Sequence, residues 1–468
     1  MEKHVLRIVA SRACQNEKIW TMDVVFRQFL GLDYHLVFSD DLSPHGIRIE
    51  MEGSSIHVNS EFFERAESRW LGQSSMPRPA VEWKGAILGG FGRRGTVSPP
   101  LIFGTNRFEK QGNSLFVGID LFGSMFFFLS RYEELVNPAR DAHGRFSARE
   151  SYAGNNSLLL RPLVNEYLEV LWGLLSTTWP MLSRRNREFR TIVSVDVDYL
   201  YSCSTKSIKR LFMEVGRDLL RDKHVRRAVR ALFNYVAAKK GQYKFDQYLS
   251  LLYWIMDVNE AEGNSVQYNF IAKKDGGLLD INGCYSLGES VAVRVIGDII
   301  SRGHSIGLHC SYYSPYDVDA VSQELGNLQA VISHNNLDFV VSSCRCHYLR
   351  WDGKITPRVL DAAGLKFDST LGYADSVGFR AGTCYEYTMY DLAGRRSLDL
   401  IESPLLVMDT SLFDKSYLGL GYGDRAVELI EVIKNTVRRY SGDFTILWHN
   451  SNLVEQNARR VYRKAIRS

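Results

Sequence analysis

Residues 191–199 read TIVSVDVDY, a run rich in β-branched residues that ends on Asp196 and Asp198. Such a run suits a pleated, buried strand, and six more follow it. They are SVQYNFIA (265–272), HSIGLHC (304–310), FVVSSCRC (339–346), LKFDST (365–370), LDLIESPLLVM (398–408) and FTILWHN (444–450). Helical patterns separate most of them, 316–333 and 425–440 among these. Strand–helix alternation on this scale predicts an α/β unit with a parallel sheet, barrel-like, whose working residues sit at the C-terminal strand ends.

Upstream the pattern changes. RIEMEGSSIHVNS (48–60) alternates around a turn at Gly53-Ser54 and predicts a hairpin; 122–136 and 162–175 read as helices. The polar, basic SRRNREFR (183–190) reads as a linker. The expected organisation is an α+β N-terminal domain over 1–185 and an α/β domain over 190–468. The strings SRYEE (130–134) and DAHGRF (141–146) are read as ion pairs and a turn, in preference to a cap over the second domain's mouth.

Hydrophobic residues make up 45% and charged residues 24% of 468, which excludes disordered and low-complexity classes. A net charge of +4 is too small to imply nucleic acid. The longest apolar run, Leu115–Leu129, is broken by Asp120 and two glycines and reads as a buried element rather than a membrane span. Seven scattered cysteines and a charged start with no apolar core of a signal lead to the expectation of a reduced, cytoplasmic protein. One stretch stands out: 204–246 holds twelve Lys/Arg against four Asp/Glu. It reads either as a patch for a phosphate-bearing or membrane-surface partner, or as a helical excursion. In the second case Leu211, Phe212, Leu219, Leu220, Val229 and Leu232 would face the core.

The chemistry-bearing residues fall at the strand ends. Asp196 and Asp198, two apart, project to one side of an extended strand, where one can bind a cation and the other act as a base. His309 ends the third run. Arg345 and His347 end the fourth, Asp368 the fifth and His449 the last. A guanidinium holds a carboxylate firmly, and imidazoles ligate metal or carry protons.

With these residues in view, the C-terminal half resembles the NodB-like polysaccharide deacetylase superfamily. The acidic pair Asp196/Asp198, the lead-in Gly303-His304-Ser305-Ile306-Gly307 before His309, Arg345, Asp368 and Leu447–His449 match its motifs in order. A narrower resemblance, through SRYEE, HGRF (143–146), HCSYYS (309–314), RCHYLR (345–350), FDSTLGYADSVGFRAGT (367–383) and LWHNS (447–451), is to an uncharacterised bacterial branch. That branch joins this domain to an N-terminal domain of unknown function.

The resemblance implies a distorted, incomplete (β/α) barrel and hydrolysis of an N-acyl group, N-acetyl first of all, from an amino sugar. It implies a divalent metal, zinc by preference. Asp198 and His309 would ligate, Asp196 held by Arg345 would be the base, and His449, oriented by an acid such as Asp368, would protonate the amine. The superfamily's next metal histidine falls on Tyr313 here, so His347 is the expected third ligand; thiolate of Cys310 or Cys346, or loss of the metal, are the alternatives. Tyr348, Phe379, Arg380 and Trp448 are expected walls of the sugar pocket. The expected substrate is a nucleotide- or polyprenyl-phosphate-linked precursor of a surface polysaccharide, with 204–246 near its phosphates or a membrane surface. The rival reading is a catalytically idle carbohydrate-binding protein.

Overall fold

The computed structural model describes residues 4–40, 46–83, 98–202, 208–220, 225–239, 243, 246–273 and 285–467. Its strands, in chain order, begin with β1 (Leu6–Ala10), β2 (Tyr34–Phe38), β3 (Gly46–Met51), β4 (Ser54–Asn59), β5 (Val81–Glu82), β6 (Pro100–Leu101), β7 (Gly104–Gln111) and β8 (Ser114–Ile119). They continue with β9 (Arg190–Val197), β10 (Val266–Ile271), β11 (Ser305–Cys310), β12 (Ser343–Cys346), β13 (Phe367–Asp368), β14 (Tyr387–Asp391), β15 (Arg396–Glu402), β16 (Val407–Met408) and β17 (Asp443–His449).

The first sheet has the order β2-β1-β3-β4-β8-β7, and β3–β4 is the predicted antiparallel hairpin. Its covering helices include α1 (Gln15–Met22), α2 (Glu61–Ser68), α3 (Leu121–Leu129), α4 (Tyr132–Val136), α5 (Tyr152–Asn155) and α6 (Leu163–Thr178). The run Leu115–Leu129 divides into β8 and the fully buried α3, and Asp120 caps α3 by accepting the Gly123 N–H at 2.7 Å. No helix among the described residues is long and apolar enough to cross a membrane.

Among the described residues the second sheet has nine strands in the order β14-β15-β13-β12-β11-β10-β9-β17-β16. All neighbours from β15 to β16 pair in parallel, and β14 adds an antiparallel edge. Among the described residues β14 and β16 do not pair with one another, so this is an open mixed α/β sheet; the expected barrel is not closed. Helices α7 (Ile208–Leu220), α8 (Val225–Lys239), α9 (Gln247–Ala261), α10 (Ser290–Ser301), α11 (Val318–His334), α12 (Thr356–Ala362), α13 (Asp409–Phe413), α14 (Asp424–Tyr440) and α15 (Gln456–Ile466) lie between or after its strands. The run 398–408 is two strands rather than one, because Pro404, lacking an N–H, stands between β15 and β16.

One apolar cluster runs through both sheets. Trp20 of α1 packs on Phe126 of α3 at 5.6 Å and on Tyr390 of β14 at 5.2 Å, and its Nε1–H donates to the Thr388 carbonyl at 3.1 Å. The basic stretch departs from expectation. Leu211 is buried, but Phe212, Leu219, Leu220, Val229 and Leu232 are exposed, so they form no core-facing stripe. The remainder of 204–246 includes 204–207, 221–224, 240–242, 244 and 245, which lie outside the described residues.

Candidate metal centre

Strand register assembles the site. In parallel pairing His449 lies beside Asp196, Asp196 beside Asn269, and His309 beside Arg345. All are at or near the C-terminal ends of their strands, where an open parallel sheet offers its crevice. Asp198 follows directly after β9, and His347 directly after β12.

Asp198, His309 and His347 are buried, and one ligand atom from each lies within 4.8 Å of the others. The Asp198 Oδ1 is 3.3 Å from His309 Nε2 and 3.7 Å from His347 Nε2, while its Oδ2 is 3.7 Å from His449 Nε2. The His309 Nδ1 lies 2.9 Å from the Arg345 carbonyl oxygen, a contact that requires the proton on Nδ1 and leaves a lone pair on Nε2. His309 Nε2 and Asp198 Oδ1 are both buried without a hydrogen-bond partner. Two acceptors aimed at one point, with a second imidazole beside them, fit a divalent cation.

Charge agrees with that fit. Burial alone would raise the Asp198 pKa, but the His309 contact, with His347 and His449 beside it, carries it well below the usual carboxylate range. Burial pushes His347 down to about 4, so its imidazole is neutral and able to ligate at neutral pH. Burial opposes a charged His309, and Asp196 and Asp198 outweigh it and raise its pKa. A cation at this point would supply the positive charge that a proton otherwise brings.

On one side of the cluster stands Asp196. Arg345 Nε is 3.6 Å from its Oδ1, Asn269 Nδ2–H donates to the same oxygen at 2.7 Å, and His309 Nε2 is 3.7 Å from Oδ2. Asn269 in turn lies against Gly307 on β11, where a Cβ would come within 2.2 Å of the Asn269 Oδ1. The G-H-S-I-G lead-in therefore ends on a glycine because the orienting amide needs that space. His304 of the same string accepts the Val266 N–H at 3.3 Å and lies 3.2 Å from Glu260, away from the cluster.

On the other side, His449 Nδ1 lies 2.8 Å from Asp409 Oδ1, and the Asp409 Oδ2 accepts the His449 backbone N–H at 2.8 Å and the Asn452 amide at 3.0 Å. Burial opposes charge on His449, but Asp409, then Asp198 and Asp196, push its pKa up to about 10. The acid expected here was Asp368, and that is corrected. Asp368 is fully buried on β13, takes the Thr370 N–H at 3.0 Å and pairs across the sheet with Glu402. Asp409, at the start of α13, was missed because it follows the apolar string LLVM and reads as a helix-start residue.

A pocket of about 360 Å³ opens over these groups, and Tyr348 lines it as expected, with Tyr199, Tyr417 and Asn452. Phe379, Arg380 and Trp448 do not line it. Trp448 is one residue from His449, so it points to the other face of β17, edge-on to Phe413 and Tyr462. Phe379 is core, and Arg380 is buried and paired with Glu134 at 2.9 and 2.7 Å. SRYEE does form ion pairs: Arg131 meets Glu133 at 2.7 Å and Glu134 at 2.8 Å. DAHGRF forms its turn, and it also reaches the pocket. Arg145 lines the wall, donating to the Tyr348 carbonyl at 3.0 Å and the Tyr417 hydroxyl at 2.9 Å. Tyr348 and Leu349 hold left-handed backbone (φ 61° and 54°), a strained turn that follows His347 directly.

Tyr313 is half-exposed and outside the pocket. Cys310 and Cys346 are core thiols; burial pushes the Cys346 thiol far up, and neither joins the cluster, which corrects the thiolate alternative.

Comparison with known proteins adds little to this geometry. The profile of a family of unknown function, DUF7033, matches residues 6–180, under half of the chain. No curated protein matches it. A solved structure of a "putative polysaccharide deacetylase" from Mycobacterium smegmatis is similar at 15% identity and a TM-score of 0.39, over 60% of this chain and 84% of that one. A likeness at that level carries no argument, and the case for function rests on the pocket itself.

Proposed function

We propose that this protein is a metal-dependent hydrolase that removes an N-acyl group, N-acetyl first of all, from an amino sugar. The substrate class is a bacterial surface-polysaccharide precursor, nucleotide- or polyprenyl-phosphate-linked. The observation that carries this reading is the convergence, in one pocket, of three ligand-type residues with an oriented carboxylate on one side and an oriented imidazole on the other.

Asp198, His309 and His347 would hold the cation, and two imidazoles with one carboxylate suit zinc. A divalent cation there supplies a Lewis acid and lowers the pKa of a bound water. Asp196, fixed by Asn269 and Arg345, is the base that takes the water's proton at Oδ2. His449, charged at neutral pH through Asp409, gives its Nε2 proton to the leaving nitrogen. Tyr348, Tyr199 and Tyr417 offer aromatic faces to a sugar ring.

The test is metal content and acetate release on N-acetylated sugar nucleotides, for wild type and for His309→Ala, His347→Ala and Asp196→Asn. Near-stoichiometric zinc lost in both histidine variants, with kcat down ~100-fold or more in a metal-loaded Asp196→Asn, is the expected result. Wild type that binds no metal after reconstitution would leave a carbohydrate-binding protein in its place. Full turnover by Asp196→Asn would remove the base assignment alone.

A further inference from the structure

We propose that the α7–α8 hairpin is an interfacial anchor that docks on an anionic lipid surface. Val225, Val229, Leu232 and Val236 recur at helical spacing along one stripe of α8, and all are exposed, Val225 by 61% and Val229 by 59%. Phe212 and Leu219, two helical turns apart on one face of α7, are exposed by 66% and 44%. Leu211 on α7 and the small Ala228 and Ala231 on α8 are buried instead, one face over from the exposed stripes. The two helices pack on each other. Leu211 apart, the larger apolar side chains named here are turned to the outside, the reverse of what an ordinary surface hairpin does.

Charge selects the occupant. The stretch 204–246 carries twelve Lys/Arg against four Asp/Glu, and Lys209, Arg217, Arg227 and Arg230 are exposed beside the apolar stripes. A second copy of this chain would bring the same positive face and be repelled. A nucleic-acid backbone would answer the cations but give the valine and phenylalanine side chains nothing to enter. An anionic bilayer answers both, with headgroups for the cations and the acyl boundary for the apolar stripe. The hairpin also arises where it would matter: it follows Asp198 and β9 in the chain, and Arg227 on α8 pairs with Glu455 at 2.7 Å, shortly after His449. Docking would hold the metal-site end of the sheet against the membrane. The inference does not depend on the chemistry assigned to the pocket.

The test is co-sedimentation of the full chain with vesicles of phosphatidylcholine alone and of equal parts phosphatidylcholine and phosphatidylglycerol. Wild type is expected on the mixed vesicles only. Lys209→Glu/Arg217→Glu/Arg230→Glu should lower the partition coefficient about tenfold or more, and Phe212→Asp/Val229→Asp, with every cation kept, should lower it comparably. Both variants should keep the wild-type melting transition, since none of these side chains is buried. Wild type free of the mixed vesicles would overturn the proposal. So would binding that survives Phe212→Asp/Val229→Asp, which would mean a purely electrostatic partner. A solution dimer that this variant converts to monomer would show that a second copy covers the face.

Discussion

Asp409 sets what His449 can do. One carboxylate oxygen faces Nδ1 at 2.8 Å, and the other gathers the His449 N–H and the Asn452 amide, so the ring has one orientation and one tautomer, with Nε2 turned to the pocket. Asp409→Asn keeps the shape but puts an amide where an acceptor for Nδ1–H stood. We expect kcat to fall ~100-fold or more while bound metal stays at the wild-type level, because Asp409 is no member of the ligand cluster. A loss of metal in step with activity would instead make Asp409 a structural support of the ligands. Rescue by Asp409→Glu, in part, would mark the carboxylate itself as what positions the ring. Residue identities of this kind were legible only in part. Asp196, Asp198, His309, His347 and His449 announce themselves by type and by their place at strand ends. Asp409 and Asn269 do not, because a short polar residue inside an apolar string reads equally well as a cap or a turn.

At the scale of elements, seven β-rich runs located eight of the nine described strands of the second sheet, one run holding both β15 and β16, while β14 (YTMYD) escaped. Alternation also explains the error at Trp448: adjacent residues on β17 face opposite ways, so His449 and Trp448 cannot share a pocket. Cross-strand neighbours decide two further outcomes. Gly307 stands beside Asn269, and Gly307→Ala would drive a methyl into its amide. The expected cost is about 1–3 kcal/mol of stability, with a further loss of kcat as Asn269 leaves Asp196; Gly303→Ala, in open space but at a positive φ, should cost stability without the second effect. Equal kcat in the two variants would count against the orienting amide. Asp368 and Glu402 are paired on β13 and β15, both fully buried. Burial first, then Asp368, pushes the Glu402 pKa far up. A raised folded pKa means that this contribution is complete below the unfolded value and is lost as pH rises through the folded one. Urea midpoints measured from acid to alkaline pH should therefore decline less steeply in Glu402→Gln than in wild type, and parallel curves would refute the raised pKa of Glu402.

For the whole molecule, the two sheets were legible as two stretches of different character, but not the extent to which they are fused. Ion-pair strings in the sequence carry no address for their partners, and only the folded chain brings Glu134 to Arg380. That carboxylate is fully buried and takes the Arg131 Nε–H at 2.8 Å and two N–H groups of Arg380 at 2.9 and 2.7 Å, while an Arg131 Nη1–H donates to the Arg380 carbonyl. Burial opposes its charge, and Arg380 and Arg131 outweigh it and hold the pKa of Glu134 low. The network thus joins the N-terminal α4 to the loop that leads into β14. It lies beside a continuous apolar cluster in which Trp20, Phe126 and Tyr390 meet across the same seam. Removing one charge from such a set strands the others in a place water cannot reach, at a cost of about 3–5 kcal/mol. For a chain this long that corresponds to a fall in Tm of only ~3–5 °C, because the unfolding entropy scales with length. Calorimetry of Glu134→Gln should show that fall in a single transition carrying the whole enthalpy. If the endotherm instead splits, with one half moving and the other fixed, the two sheets are independent folding units and Arg145 reaches the pocket across an interface rather than from within one core.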